Sequence, residues 1–427
     1  MSTQFMYESQ KMGRTQYQAF FAALIGWVFD YYEVFLLSFV IIPMAHSLHL
    51  STGQTAALES IQLAGLALGG MLFGVLGDRV GRKGMLMYTV ILYGIGTLMR
   101  AFSFDYAWLV IWTGIAGFGI GGEYGVGQAL VSEIVPSKQR GFWSGLLYGG
   151  IFIGIAGGAA VGGYVLPVVG WRWTFALSAI PALLAAYIRG RIDESDVWEQ
   201  KVAKRKRPLQ TAKYGAKRFW LPFIICLIAS VFQFFAYYGI TTFLPTYLVD
   251  NEHFSMGHAA WWLFFTAFAG LVGAVVGGYT ADKWGRRITL CYLAFIAALG
   301  GLWLFLSWKS LLNSSLILIP FFLLYFGSNG ATVFGSLFSE MFPTDIRSTG
   351  VSWSLQIGRG LAFIPPLITA AIFPIYGYKP IILIGAAEFM ALGLWAWVFR
   401  ETKDISLDSL DEPITDDHAA AAAPVEV

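Results

Sequence analysis

Long runs of apolar residues alternate along the chain with short polar segments. Each run has about the 20 residues that a helix needs to cross the hydrocarbon core of a bilayer. Lipid accepts only helices or closed barrels as spanning structures, and these runs are too long for barrel strands. The twelve runs lie near residues 19–42, 56–77, 84–102, 106–130, 141–166, 172–188, 219–248, 259–281, 288–308, 314–339, 350–374 and 379–399. The pattern predicts an all-α membrane protein with twelve transmembrane helices.

The composition agrees with this class of protein and excludes others. Hydrophobic residues make up 57% of the 427 residues and charged residues 13%, about half of the roughly 25% that is typical of soluble domains. A disordered chain and an ordinary soluble enzyme are therefore excluded. The net charge of +2 is too small to indicate a nucleic-acid partner. Cys226 and Cys291 both fall in apolar runs, and we interpret them as packing residues.

The distribution of basic residues predicts the orientation. With the N-terminus in the cytoplasm, all but five of the 28 Lys and Arg residues fall in cytoplasmic segments. Arg100, Arg172, Lys309 and Lys379 fall outside or at the outer border, and Arg359 falls inside a span. Because cytoplasmic loops are enriched in basic residues, we expect both termini in the cytoplasm and a multi-pass location in the plasma membrane, or the inner membrane of a bacterium.

One long polar loop divides the chain into halves. Residues 189–218 mix basic and acidic residues and separate a six-span bundle at 19–188 from a second one at 219–399. The loop could bind anionic lipid, but the simpler interpretation is a cytoplasmic linker that also sets the topology. A short cytoplasmic N-terminus, 1–18, precedes the bundles. The segment 400–427 follows them, is acidic with an Ala run, and is predicted to be a disordered tail.

Two motifs occur once in each half. Residues Gly74–Lys83 correspond to Gly278–Arg287 at an offset of 204, and both follow the second span of their half. Residues Glu133–Arg140 correspond to Glu340–Arg347 at an offset of 207, and both follow the fourth span. Two motifs repeated in equivalent loops indicate an internal duplication.

The repeated residues suggest a latch. The aspartate of each first motif ends a helix, the glycine lets the chain turn, and the glutamate of the second motif lies at the same membrane face and can pair with the arginines. Ion pairs between helix ends that must separate would form a cytoplasmic gate. A device that only makes the turn and sets the topology is the alternative. The gate residues would be Asp78, Arg82, Glu133, Arg140, Asp282, Arg286, Glu340 and Arg347.

These motifs resemble those of the major facilitator superfamily. The Gly-x-x-x-Asp-Arg/Lys-x-Gly-Arg-Arg/Lys loop is similar to the signature of that family, and Glu-x-x-Pro-x-x-x-Arg is similar to a motif of sugar porters and organic-acid:proton symporters. Residues Gly119–Gly125 resemble the fourth helix of sialate/lactate and metabolite:proton symporters. Asp30-Tyr-Tyr-Glu33 has the acid-x-x-acid spacing of aromatic-acid and lactate-type symporters, although it ends in Glu instead of Asp. The resemblance implies two six-helix bundles around a cavity and alternating access.

Glycines in the spans are interpreted as packing residues. Those of the fifth span recur every fourth residue at Gly150, Gly154, Gly158 and Gly162. Small residues at this spacing let helices approach closely. The resemblance implies that the fifth and eighth spans meet across the halves, so we expect this stripe at that contact. Glycines near residue 120 could suggest a dinucleotide loop, but they lie inside a span, where such a loop does not occur.

Ionisable residues inside a membrane usually face a watery cavity, because a charge in lipid is costly. Asp30 lies about 11 residues into the first span, or roughly 17 Å deep, and Glu33 follows one turn later on the same face. Two carboxylates so close do not both ionise at low cost, which suits proton coupling. Glu123 either binds protons or pairs with an Arg. Glu388, in the last span, is a weaker candidate.

Arg359 is expected to be the only basic residue in the core of a span, roughly 14 Å deep. An arginine stays charged and can bind a carboxylate through two parallel hydrogen bonds, so it is a candidate anion site. A structural ion pair with Asp30, Glu33 or Glu123 is the alternative. Neutral polar residues that could complete the cavity, or form interhelical hydrogen bonds, are Gln62, Gln128, Gln233, Tyr237, Tyr238, Asn329 and Gln356.

These observations predict a proton-coupled symporter that imports a small organic anion, such as lactate or an aromatic or sugar acid. A neutral-sugar or polyol porter, a drug exporter and a sensor that binds without transporting are the alternatives. The spans contain no set of residues typical of catalysis or metal binding, so we expect no enzyme, cofactor or metal site. Protons, the anion and lipids are the expected partners, and the fold needs no second copy to form its cavity.

Overall fold

The computed structural model describes residues 12–190, 219–241, 256–311, 314–362, 364–365, 368, 372, 375–405 and 407–410. Most of the predicted linker and the end of the predicted tail lie outside these residues. The described part consists of helices, short 3₁₀ and π-helical segments and turns, without a strand. The helices are α1 Arg14–Leu48, α2 Thr52–Val80, α3 Arg82–Ala101, α4 Tyr106–Gly121, α5 Glu123–Ile134, α6 Arg140–Ala160, α7 Leu166–Gly190, α8 Leu221–Thr241, α9 Met256–Trp284, α10 Arg286–Leu311, α11 Leu318–Gly327, α12 Phe334–Ser339, α13 Arg347–Leu361 and α14 Lys379–Trp395.

Nine segments of the described residues are long and apolar enough to cross a membrane. Three features of the helices account for the difference from twelve. The fourth predicted span is divided into α4 and α5, each too short to cross alone. The fifth and sixth form one continuous segment, Ser137–Ile180. The eleventh lies partly outside the described residues. The count of twelve therefore stays a prediction.

Glycines make the turns in the two repeated loops. Gly81 joins α2 to α3 with φ of 118°, and Gly285 joins α9 to α10 with φ of 107°. Side chains disfavour this backbone region, and glycine adopts it at no steric cost. The two glycines are 204 residues apart, so the sequence repeat corresponds to the same backbone turn in both halves.

The helices that precede Glu133 and Glu340 are interrupted at equivalent places. The chain leaves the regular helix at Gly122, between α4 and α5. In the second half, a 3₁₀ segment over Ser328–Val333 separates α11 from α12, and Asn329 within it is not helical (φ −84°, ψ 23°). Gly122 and Asn329 are 207 residues apart, the offset of the second repeated motif.

The expectation for the glycine stripe of the fifth span is wrong. A Cβ atom at Gly154 would collide with the carbonyl oxygen of Val28, and one at Gly158 would lie 3.1 Å from that of Tyr32. The stripe therefore packs against α1 of its own half. Because a helix has 3.6 residues per turn, another face of α6 is turned to the second half.

Close helix crossings join the halves, and two of them show how glycines make the contact. At the first, a Cβ atom on Gly145 of α6 would lie 2.8 Å from the Cα atom of Gly278 on α9. At the second, one on Gly74 of α2 would lie 2.6 Å from the Cβ atom of Ser352 on α13. The contact between the fifth and eighth spans is thus present, but different glycines make it.

A comparison of two glycines of α6 tests the intrabundle contact. Gly154→Ala should destabilise the protein by about 1–3 kcal/mol, because the methyl group forces α1 away. Gly157→Ala is the matched control, since its Cβ atom would meet Tyr32 at an ordinary 3.5 Å and alanine favours a helix. Thermal melting in detergent measures both. Equal melting temperatures would contradict this account of the stripe.

Candidate functional site

Each repeated aspartate caps a helix of the other half. The Asp78 carboxylate accepts hydrogen bonds from the backbone N–H groups of Ser348 (3.0 Å) and Thr349 (2.7 Å) and from the Thr349 hydroxyl (2.7 Å). These groups form the start of α13. A carboxylate satisfies the unpaired N–H groups of a helix N-terminus and interacts favourably with the helix dipole.

Asp282 makes the equivalent contact in the opposite direction. Its carboxylate accepts hydrogen bonds from the backbone N–H groups of Gly141 and Phe142, both 2.7 Å long, at the start of α6. The duplication is therefore visible as two reciprocal helix caps. We call the side of the bundle that carries these loops the repeat face.

A chain of buried ion pairs lies beside the Asp78 cap. Arg82 contacts Asp78 at 3.1 Å and Glu133 at 3.0 Å, and Glu133 contacts Arg347 of the second half at 2.9 Å. Arg82 also donates a hydrogen bond to the Thr344 carbonyl of the second half (3.0 Å). Two acidic and two basic groups thus share a site from which water is excluded.

The second half contains the mirror arrangement. Arg286 contacts Asp282 and Glu340, each at 3.1 Å, and Glu340 contacts Arg140 of the first half at 2.8 Å. Arg286 also donates a hydrogen bond to the Ser137 carbonyl of the first half (3.3 Å). The sequence predicted that the two glutamates can pair with the arginines of the Asp78 and Asp282 loops. The structure adds a pair from each glutamate to the opposite half.

The segment after the last helix completes the second cluster. The Glu401 carboxylate accepts a hydrogen bond from the Arg286 N–H (2.8 Å) at the start of α10. The Thr402 hydroxyl donates to Glu340 (2.6 Å), and Arg140 donates to the Ile405 carbonyl (3.3 Å). These residues begin the segment predicted to be disordered, and they are in defined contact. No local pattern indicates these contacts, because the partners are more than 60 positions away.

Arg359 lies between the two halves and apart from the clusters of the repeat face. It is on α13 and 4% exposed. Its guanidinium carbon lies 5.0 Å from the ring centroid of Tyr31 on α1, and Tyr238 on α8 is among the groups that act on it electrostatically. Asp30, fully buried on α1, is among the groups that act on it electrostatically. The structure thus brings three predicted residues, Asp30, Tyr238 and Arg359, into one site.

A group of aromatic side chains extends from the ring that this cation contacts. Trp27 contacts Tyr31 and Tyr124, with ring centroids 4.9 and 4.4 Å apart, Tyr124 contacts Tyr148 at 6.3 Å, and Tyr237 contacts Tyr238 at 5.6 Å. Tyr31 also interacts with both tyrosines of α8. We call this group the aromatic site; it comprises Trp27, Tyr31, Tyr124, Tyr148, Tyr237, Tyr238 and Arg359. Sequence reasoning missed Trp27, Tyr31, Tyr124 and Tyr148, because aromatic residues occur throughout the spans and their spacing is not distinctive.

The two carboxylates of the predicted pair, Asp30 and Glu33, interact with different arginines. Glu33 forms an ion pair with Arg100 of α3, with Oε2 2.6 Å from Nη2. Arg100, expected outside or at the outer border, lies in the last turn of α3 and is fully buried in the protein. That Arg359 is the only basic residue in the core of a span stays a prediction. A residue near the end of an apolar run gave no indication of which way its long side chain points.

The other predicted carboxylates have described contacts of their own. Glu123 accepts a hydrogen bond from the Thr89 hydroxyl of α3, inside the first bundle. Glu388 lines an apolar groove between α8 and α14 together with Phe235 and Ile384.

Most of the predicted neutral polar residues make hydrogen bonds within or between helices. Gln128 bonds to Ser144 through both its amide atoms, and Gln233 donates to the Ser328 carbonyl (2.6 Å). Asn329 donates a hydrogen bond to the carbonyl of Tyr325, at the end of the preceding helix α11. Gln356 donates one across the halves to the Gly121 carbonyl. Gln62 is buried on α2.

Comparison with known proteins identifies similar chains and folds. Residues 22–365 match the pattern of the Major Facilitator Superfamily. A putative niacin/nicotinamide transporter of Bacillus subtilis is 31% identical, over 90% of this chain and 96% of its own. A cis,cis-muconate transport protein of Acinetobacter baylyi is 28% identical, over 82% and 86%. The structure of a proton:xylose symporter superposes with a TM-score of 0.79 at 21% identity, covering 93% of this chain and 98% of the other.

Hydrogen exchange tests whether the two caps open together. Asp78→Asn removes the charge that caps α13, which costs about 1–2 kcal/mol, so amides near Ser348 should exchange roughly five- to thirtyfold faster. Because both caps join the same two halves, amides near Gly141 should also exchange faster. Mass spectrometry of the two peptides measures this.

Asp105→Asn is the matched control, because Asp105 caps α4 through the Trp108 N–H (2.7 Å) within one half. It should leave both peptides unchanged. Faster exchange near Ser348 alone would mean that Asp78 is a local cap and not part of a shared latch.

Proposed function

The chain belongs to the Major Facilitator Superfamily, and from that premise we propose that it is a proton-coupled symporter that imports a small organic anion by alternating access. Like its relatives, it is a membrane transport protein and not an enzyme. We further propose twelve transmembrane helices, with both termini and the repeat face in the cytoplasm and the protein in the plasma membrane. The distribution of basic residues supports this orientation.

The observation that carries the proposal is the position of Arg359. A buried guanidinium is costly in a membrane, so proteins keep one there where it is paired or needed for function. This one lies between the halves. Its Nε atom has no hydrogen-bond partner among the described residues. A substrate carboxylate would supply the planar two-point partner that an arginine binds best. The surrounding rings would contact the apolar body of the substrate.

Proton coupling follows from the proximity of Asp30 to this cation. When Asp30 is ionised, it competes with a substrate anion for the charge of Arg359. Protonation removes that competition, so the proton and the anion would bind together. Asp30 is thus our leading proton carrier, and Glu33 and Glu123 are the other two candidates from the sequence.

The repeat face supplies the gate. The caps and ion pairs join the halves there, which supports a state of the transporter that is closed on that side. Opening would separate Glu133 from Arg347 and Glu340 from Arg140. Buried ion pairs suit such a switch, because they are stable when complete and costly when one partner is left behind.

The names of the relatives support an organic acid as the substrate. One is described as a niacin/nicotinamide transporter and another as a cis,cis-muconate transporter. The xylose symporter supports the fold alone, given its 21% identity. A neutral sugar or polyol is the alternative substrate class, and it gives no reason for a cation in the aromatic site.

Substitution of Arg359 tests the anion site. Arg359→Gln should weaken binding of the transported carboxylate by about 2–5 kcal/mol, which is roughly 30-fold to several-thousand-fold in affinity. Arg359→Lys should weaken it less, because it keeps the charge and loses the two-point contact. An uptake screen of carboxylates and sugars in proteoliposomes first identifies the ligand, and calorimetry in detergent measures its affinity.

Arg172→Gln is the control. Arg172 donates to the Ser103 carbonyl (2.9 Å) and lies over the Trp171 ring, away from the aromatic site. Normal carboxylate affinity in a folded Arg359→Gln protein, or uptake of neutral sugars alone, would overturn the organic-anion proposal in favour of a sugar porter.

Replacement of Asp30 tests proton coupling. Asp30→Asn should abolish accumulation driven by an inward proton gradient, because the amide does not take up the proton. Exchange between two equal substrate pools should continue, since it needs no net proton movement. Both are measured with labelled substrate in proteoliposomes. Gradient-driven accumulation by the Asp30→Asn protein would remove Asp30 from the coupling mechanism.

A further inference from the structure

The buried pair of Glu33 and Arg100 has no part in the aromatic site, although Glu33 follows Asp30 by one helical turn. The pair lies inside the first bundle between α1, α3 and α7. The Thr97 hydroxyl donates to the same Glu33 oxygen (2.8 Å), and the guanidinium lies over the Phe175 ring, 4.6 Å from its centroid. Side chains around it form an apolar cluster that includes Leu36, Leu37, Ala101, Leu109 and Phe175.

Four consecutive residues of α1 interact with two different parts of the protein. Asp30 and Tyr31 act on Arg359 across the halves. The next two are held within the first bundle: Tyr32 is hydrogen-bonded to Ser178 of α7 (2.6 Å), and Glu33 to Arg100 of α3. The second pair therefore fixes the rotation of α1 and, with it, the direction in which Asp30 and Tyr31 point.

The contact within the pair is made through one oxygen and one nitrogen. Glu33 Oε1 and the Nε and Nη1 atoms of Arg100 are buried and have no hydrogen-bond partner among the described residues. Protonation of Glu33 would leave the whole buried guanidinium without a counter-charge, which is strongly unfavourable. The arrangement therefore favours a carboxylate that stays ionised, unlike a group that takes up and releases a proton in each cycle.

We infer that Arg100 is a positioning residue, which acts through Glu33 to hold Asp30 toward Arg359, and that Glu33 does not carry the coupled proton. This inference rests on the proposed symport function. It assigns the two carboxylates of α1 different tasks: Asp30 exchanges a proton beside the substrate, and Glu33 anchors the helix that presents it.

The test compares single substitutions with a double substitution that removes both charges. Glu33→Gln and Arg100→Gln should each lower the melting temperature and reduce both exchange and accumulation, because one charge is left buried alone. Glu33→Gln combined with Arg100→Gln should melt at a higher temperature than either single variant. It should also recover gradient-driven accumulation, since Asp30 remains. Asp30→Asn, which keeps exchange and loses accumulation, is the reference for a lost proton carrier.

The ratio of accumulation to exchange separates the two roles, because a loss of stability alone changes both together. If the double variant exchanges substrate but does not accumulate it, Glu33 carries the proton and the inference is wrong. A double variant that melts no higher than the single ones would also overturn it, since the pair would then contribute nothing.

Glu33→Asp gives a second test that does not depend on the double variant folding. It keeps the acid and lengthens the contact with Arg100. A positioning role predicts that exchange and accumulation fall in the same proportion, with the pH dependence of exchange unchanged. A changed ratio or a shifted pH profile would assign the proton to Glu33. If the wild-type protein itself accumulates no anion with a proton gradient, the proposed function fails, and this inference fails with it.

Discussion

The two halves are held together by carboxylates that each cap a helix of the opposite half and by the arginines that balance them. Asp78 and Asp282 satisfy the N-termini of α13 and α6. In a buried setting a charge without a partner is costly, so these groups are stable only as complete sets. Each cluster contains as many basic as acidic groups of the two motifs. Closure of the repeat face therefore depends on all members together, which is how a two-state gate behaves.

The aromatic site follows from the same division into halves. Its cation is on α13 of the second half, while Asp30 and Tyr31 are on α1 of the first. The caps at the repeat face set the position of α13 against α2, and thus the position of Arg359 against α1. The contacts at the repeat face and the geometry of the aromatic site are in this way linked through one helix, α13, which begins at the repeat face and carries the cation.

The two halves correspond most closely at the repeat face and least around the aromatic site. The corner glycines, the caps and the ion pairs all have a counterpart in the other half. The buried carboxylates Asp30, Glu33 and Glu123 are confined to the first half, and Glu401 joins only the second cluster. An even arrangement suits the proposed gate, whereas the proposed binding of an anion and a proton would require different groups on the two sides.

Sequence by itself determined the helical membrane class, the internal duplication and the residues that form the ion-pair clusters of the repeat face, because apolar run length and repeated motifs are properties of local order along the chain. It also indicated Arg359 and Asp30, since charge inside an apolar run stands out. It did not show that Glu33 turns to Arg100, that the Gly154 stripe packs on α1, or that Trp27 packs on Tyr31 and Tyr124. Those facts depend on which side of each helix faces which neighbour. Partners more than 60 positions apart are chosen only when the helices pack, so the tertiary structure alone decided them.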